Sequence, residues 1–261
     1  MNVLELFNLT GKTAIVTGGA RGLGRQAAMA LAEAGADVAI CDLLEDDGRQ
    51  TAAELRALGR RSCFGKVDVT RNDEVAAFVD QVVGELGRVD ILVNNAGMPS
   101  DGKALLDEPD SAWQRMLDTN LSSMFYVGTH VARQMVARGE GGAIINMASI
   151  NALVISNIAP RYNVAYCVAK AGVAQLTRGM AAEWAPYGIR ANAIAPGTML
   201  TAQTAASRKY PEIVDRIIAN TPMKRYGEEE EIKGLVVYLA SPASSFMTGS
   251  LVVMDGGTTI W

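Results

Sequence analysis

The sequence predicts a doubly wound α/β fold, a parallel sheet of about seven strands with helices on both faces. Three observations carry that expectation. Short uncharged apolar runs alternate with amphipathic stretches from end to end, the pattern of strands buried on both faces and of the helices that cover them. A glycine-rich turn joins the first run to the first amphipathic stretch. No linker or internal repeat interrupts the series, so residues 1–261 are expected to form one domain.

Taken in order, residues 13–17 read as the first strand and 22–34 as the helix after it, with 37–41 and 46–58 as the second pair. Residues 62–67 give a third strand. The stretch 72–86 is helical, with Val75, Phe78, Val79 and Val82 on one face. Residues 90–94 form the fourth strand, 112–138 a long helix and 142–147 the fifth strand. A helix over 166–185, a strand over 189–194, a helix over 229–240 and a last strand over 251–254 complete the series.

Composition excludes several classes. The formal charge of −4, with no dense Lys/Arg patch, argues against a nucleic-acid partner. No apolar run reaches the roughly 18 residues of a membrane span. The first ten residues carry no basic residue ahead of their apolar part, so they make a poor signal peptide. Cys41, Cys63 and Cys167 are odd in number, widely spaced and without a C-x-x-C, and read as reduced thiols of a cytoplasmic protein. His130, the single histidine, sits in a helical pattern and reads as structural, which leaves no His-based triad and no multi-His metal site.

Thr17-Gly-Gly-Ala-Arg-Gly-Leu-Gly24 joins the first strand to the first helix. Gly18, Gly22 and Gly24 let the backbone turn tightly and approach a pyrophosphate, with Arg21 and Leu23 between them, while the helix amino end offers N–H groups and a positive dipole. Asp42, 18 residues past Gly24, closes the second strand. A carboxylate there accepts hydrogen bonds from ribose hydroxyls and repels a 2′-phosphate, which favours NAD over NADP. Arg21 is the one dissenting residue, since it could reach such a phosphate. Asp68 and Val69 end the third strand, where a side-chain oxygen can meet an adenine amino group. Asn94, Ala96 and Gly97 end the fourth, their small neighbours allowing close approach; Asn94 either joins the site or pins adjacent strands.

Tyr166 and Lys170 are four residues apart and share a helix face. An ammonium beside a phenol favours the phenolate, and a phenol tuned that way exchanges a proton with an alcohol or ketone near neutral pH. Ser149 stands upstream at the end of a strand-like run.

In combination, Thr17-Gly-x-x-x-Gly-x-Gly24, Asn94-Asn-Ala-Gly97, Ser149, Tyr166-x-x-x-Lys170 and Pro196-Gly197 resemble the short-chain dehydrogenase/reductase family, with its Rossmann-type sheet, across essentially the whole chain. The resemblance implies that Tyr166 is the general acid/base and that Lys170 binds the nicotinamide ribose. It implies that Ser149 holds the substrate oxygen and that Asn120 holds a water of the proton relay. Pro196, Gly197, Thr198 and Thr201 match the segment that holds the carboxamide. Hydride transfer of this kind requires no metal. Tyr162 is a decoy, having no lysine four positions on, and reads as a pocket-wall residue. Tyr166 follows Ser149 by 17 positions, more than is usual in the family.

The pocket is expected from residues 98–100, from Ser149 to Tyr162 and from Met199 onward, with residues 198–220 as a mobile substrate loop by resemblance. Asn151, Asn157, Arg161 and Asn163 suit a polyhydroxy substrate, and Arg161 could pair a sugar-acid carboxylate. Residues 221–228 and the close at 255–261 look like bacterial polyol and sugar dehydrogenases. Three other readings stay open: reduction of a 3-oxoacyl thioester or other small ketone, oxidation of a hydroxysteroid, and a non-catalytic dinucleotide-binding role. Met116, Leu117, Leu121, Met124, Phe125, Val127 and Val131 exceed one apolar stripe, and by resemblance their helix pairs between subunits of a homotetramer, with Trp261 at a subunit contact.

Overall fold

The computed structural model describes residues 2–99, 104–155, 162–205 and 207–260. Ser100, Asn157, Arg161 and Trp261 of the sequence reading lie outside the described residues. The chain runs β1 (Thr13–Thr17), α1 (Gly22–Glu33), β2 (Asp37–Asp42), α2 (Glu45–Ala57), β3 (Ser62–Lys66), α3 (Asn72–Leu86) and β4 (Ile91–Asn94). It continues through α4 (Asp110–Leu117), α5 (Ser123–Arg138), β5 (Gly142–Met147), α6 (Val164–Trp184), β6 (Ile189–Pro196), α7 (Pro211–Asn220), α8 (Ile232–Ala240) and β7 (Leu251–Met254).

The strands form one seven-stranded parallel sheet in the order β3-β2-β1-β4-β5-β6-β7, as the alternation of buried strands and helices predicts. Side chains of β1 show how the layers arise. Ala14 and Val16 pack with Ala27 and Leu31 of α1, Leu55 of α2 and Val236 of α8. Ile15 points the other way, into Val79 and Val82 of α3, Val131 of α5 and Met180 of α6. Successive residues of a strand face opposite sides, so a fully apolar strand is what a helix layer on each face requires.

Strand order reverses between β1 and β4, both of which pair in parallel with their neighbours. At such a switch point the loops leave the carboxyl ends in opposite directions and open a crevice. Everything the sequence marks as a nucleotide turn sits on that edge.

Two elements differ from the expectation. The long helix over 112–138 is interrupted by a wider, π-type turn at Asp118–Ser122. There the Ser123 hydroxyl donates to the Thr119 carbonyl at 2.6 Å, a back-bond that bends helices. The segment 198–220 is only half loop, because α7 occupies its second part. Pro211 stands in the first turn of that helix, where a missing N–H costs nothing, and Ile217 is buried.

Candidate active site

The crevice is a cavity of about 1060 Å³ over the carboxyl ends of the strands. At its centre the glycine turn is tied to β4. The Thr17 hydroxyl oxygen accepts from the N–H groups of Asn95 and Ala96, each at 3.0 Å. In return Asn95 Nδ2 donates to the carbonyls of Thr17 and Gly18 at 3.1 and 3.0 Å. Gly18 has a left-handed backbone, φ 63°, and a Cβ there would stand 2.9 Å from Ala96 Cα. At Gly24 a Cβ would overlap the Gly18 carbonyl and the Asn95 amide. Only bare backbone lets the chain close this tightly before α1, whose first-turn N–H groups have no partner within the helix. That cradle has the shape and donor set a pyrophosphate needs.

Toward β2 the lining is acidic. Asp42 is fixed at both oxygens, Oδ2 accepting from Ala20 N–H and Oδ1 from Leu44 N–H, each at 3.1 Å. Arg21 lines the same region, and no ion pair holds its guanidinium among the described residues. Asp68 accepts from the Thr70 N–H and hydroxyl at 2.9 and 2.7 Å, beside Val69 in the cavity wall.

On the β5 side stand Ser149, Tyr166 and Lys170, all in the wall. Ser149 is extended and its Oγ accepts from Asn151 N–H at 3.2 Å. Burial pushes the Tyr166 phenol up to about 12, against a hydrogen bond with Ser149 that draws it down, a shift opposite to the lowering that the Tyr166–Lys170 spacing predicts. Burial also pulls Lys170 down to about 8. Its Nζ donates to the Met147 carbonyl at 2.7 Å, leaving two further N–H donors of the ammonium for a ligand.

Asn120, in the π-type turn, is fully buried. Its Oδ1 accepts from Met98 N–H and its Nδ2 donates to Met98 O, each at 3.2 Å. A Cβ on Gly97 would lie 2.6 Å from that Oδ1, so glycine is required where the β4 loop crosses the helix.

Most residues singled out in the sequence are gathered here: Gly18, Arg21, Gly22, Leu23, Asp42, Asp68, Val69, Ala96, Gly97, Asn120, Asn151, Asn163, Pro196, Gly197, Thr198, Met199 and Thr201 all line the cavity. Gly24, Asn94 and Tyr162 do not. Gly24 acts from behind, through the fit just described. Asn94 is buried, and its Nδ2 donates to Met124 O at 3.3 Å and Asn146 Oδ1 at 2.9 Å, so it pins β4 to β5 and α5. Tyr162 is 58% exposed. Asn95, Gln203 and Ser207, which fall inside the motif and segment marked in the sequence, line the cavity as well, whereas Arg115 and Thr119 were not given a role by sequence reasoning. Arg115 and Thr119 had a readable signal, being one helical turn apart and just ahead of Asn120.

A doubly wound parallel sheet with a glycine turn at its switch point, facing a serine, a tyrosine and a buried lysine, defines a dinucleotide-dependent oxidoreductase. A sequence family described as enoyl-(acyl carrier protein) reductase matches residues 18–259. Galactitol 2-dehydrogenase of Rhizobium johnstonii is 40% identical over the full length of both chains. A short-chain type dehydrogenase/reductase from Mycobacterium marinum superposes with a TM-score of 0.94 at 41% identity, 99% of each chain covered. A gluconate 5-dehydrogenase from Burkholderia cenocepacia, solved in complex with NADP and tartrate, superposes with a TM-score of 0.93 at 36% identity over the whole of both. The chain belongs to the short-chain dehydrogenase/reductase family. No described helix is long and apolar enough to cross a membrane.

Proposed function

We propose that this enzyme interconverts a secondary alcohol of a polyol, sugar or sugar acid with the corresponding ketone, using NAD. The observation that carries the reading is the single cavity that joins a dinucleotide cradle to Ser149, Tyr166 and Lys170. The names of the galactitol and gluconate dehydrogenases among its relatives support the substrate class.

In this reading Gly18, Arg21, Gly22 and Leu23 hold the pyrophosphate, with Gly24 behind them, and Asp42 takes the adenosine ribose hydroxyls. Asp68, Val69, Ala96 and Gly97 border the adenosine half. Pro196, Gly197, Thr198 and Thr201 hold the carboxamide end. The bound dinucleotide supplies the hydride acceptor or donor for the substrate carbon. Ser149 orients the substrate oxygen and steadies the charge that develops on it. Tyr166 takes the hydroxyl proton in oxidation and returns it in reduction. Lys170 holds the ribose with its remaining N–H donors, and its charge favours the phenolate. Asn120 stays with Met98, and its helix turn borders the relay that carries the proton away. The segment 198–205, with Met199 in the wall, acts as the substrate loop.

NADP is the second reading, favoured by Arg21 and by the nucleotide in the Burkholderia enzyme. Asp42 outweighs it because a phosphate placed there meets a carboxylate already fixed at both oxygens. Absorbance at 340 nm with either dinucleotide and a panel of polyols, sugar acids and simple secondary alcohols tests both readings. NAD-linked turnover of a polyol or sugar acid is expected. Turnover with NADP alone would reverse the cofactor assignment, and silence with intact NADH binding would end the substrate assignment.

The assembly we propose is a homotetramer. Phe125 and Val136 on α5 are 51% and 38% exposed and Val168 on α6 is 42% exposed, apolar surface that a second subunit would cover. Light scattering behind a sizing column should give four times the chain mass, and Phe125→Glu should lower it; a monomer in the wild type overturns the proposal.

A further inference from the structure

A short helical turn at Glu229–Glu231 packs beside the start of α1. Glu231 secures it, pairing with Arg225 at 2.7 Å and accepting from the Glu228 N–H at 2.7 Å. Glu228 and Glu230 are exposed. Of the acids in 228–231, Glu229 alone is half-buried. Its carboxylate faces the glycine turn: a Cβ built on Gly22 would stand 4.0 Å from Glu229 Oε1. No ion pair holds that carboxylate among the described residues.

Gly22 is the first residue of α1 and lines the cavity, in the turn assigned above to the pyrophosphate. A helix amino end attracts anions through its free N–H groups and its dipole. Glu229 sets a fixed negative charge beside that same end. Burial raises the pKa of its carboxyl and the Gln26 amide lowers it, while Glu230 adds to the rise and Arg25 and Arg208 oppose it. Neither arginine neutralises the carboxylate by direct pairing. Arg25 Nε donates to Glu54 at 3.1 Å, and Arg208 donates to the Thr201 carbonyl at 3.2 Å.

We propose that Glu229 sets the affinity for the dinucleotide by repelling its diphosphate, so that the bound cofactor is held loosely enough to exchange. This rests on the dinucleotide reading above and adds to it a residue that opposes the glycine turn. Charges near one another at a protein surface interact strongly enough to change a binding equilibrium several-fold. Release of a bound product sets the turnover of many enzymes, which gives a repulsive charge at this place a use.

Glu229→Gln keeps the size of the side chain and removes its charge. The probes are NADH, followed by its fluorescence, and ADP and adenosine, followed by calorimetry, all at low salt and mildly alkaline pH. ADP carries the diphosphate and adenosine does not. NADH and ADP should each bind the variant about threefold or more tightly, with adenosine binding and the melting temperature unchanged. The gain should shrink as salt is raised. Glu229→Ala, which also loses the contact with Gln26, should tighten NADH in the same direction, because the charge and not the contact sets the effect. Glu230→Gln removes an equal charge from an exposed neighbour and should do less; an equal gain there would make net charge the cause and overturn the proposal. Unchanged or weaker NADH binding in Glu229→Gln, or an equal gain for adenosine, overturns it while leaving the dinucleotide reading in place. Wild-type protein that binds neither NADH nor ADP overturns both.

Discussion

The ammonium of Lys170 is bonded to the carbonyl of Met147 at 2.7 Å, while the centre of the Tyr166 ring lies 5.6 Å from the same nitrogen. The lysine is thus anchored to the end of β5, and the tyrosine stands within reach of its charge. Among the described residues no carboxylate forms an ion pair with that charge, and burial pulls the lysine down to about 8.

This arrangement has a signature in stability. Lys170 titrates near 8 in the folded protein and at its ordinary 10.5 when unfolded. Below 8 the folded state bears the full cost of a buried ammonium. Between those values the unfolded chain binds the extra proton, so stability rises with pH. Tyr166 has the opposite sign, its folded value raised from 10.0 to about 12, so its contribution is lost as pH climbs through that interval. The melting temperature of the dinucleotide-free protein should therefore gain between pH 7.5 and 9.5 relative to Lys170→Met. Parallel curves for the two proteins would remove the buried-charge explanation.

At the amino ends of the strands, Asp90 gathers a second charged group. Arg88 Nε donates to its carboxylate at 2.8 Å, Arg138 at 2.9 Å and Thr13 N–H at 3.0 Å. Burial raises its pKa, but Arg88, the Thr13 N–H, Arg138 and Lys12 together outweigh burial and hold the carboxyl below its ordinary value. Its stabilisation is present above the unfolded value of 3.8 and is lost as pH falls through the folded one. Asp90→Asn removes the carboxylate shared by Arg88, Arg138 and Lys12, which are partly exposed, the two arginines keeping Glu140, and should cost about 1–3 kcal/mol by urea unfolding. NADH affinity should not change, since the site is at the other end of the sheet.

Two glycines separate fit from flexibility. Gly24→Ala places a methyl group on the Gly18 carbonyl and the Asn95 amide, and should weaken NADH binding at least tenfold. Gly84, in the last turn of α3, has nothing within 4 Å of an added Cβ. Gly84→Ala should leave binding alone and stabilise the protein by up to about 1 kcal/mol, the helix preference for alanine. Fluorescence titration and thermal melts read both.

The sheet was legible because a strand covered on both faces cannot carry charge, as Ala14, Ile15 and Val16 show. Tyr166 and Lys170 were legible for a similar reason: helical spacing alone puts them on one face. The neighbours Asn94 and Asn95 were harder to tell apart. Both are asparagines, and only the direction in which each leaves the strand end sends Asn94 into the core and Asn95 to the glycine turn. Arg115 was readable one helical turn ahead of Thr119, but helical spacing alone does not tell an arginine facing the cavity from one in solvent. Tyr162 sits in a loop, where no period tells a pocket wall from the surface.

The most direct test of the account is Tyr166→Phe, assayed at 340 nm with NAD and the best alcohol of the panel, alongside NADH fluorescence titration. The account predicts a fall in kcat of about 10²–10⁴-fold, the usual contribution of a positioned acid/base, with NADH affinity within a factor of about three of wild type. Turnover near the wild-type rate, with the dinucleotide bound normally, would contradict it.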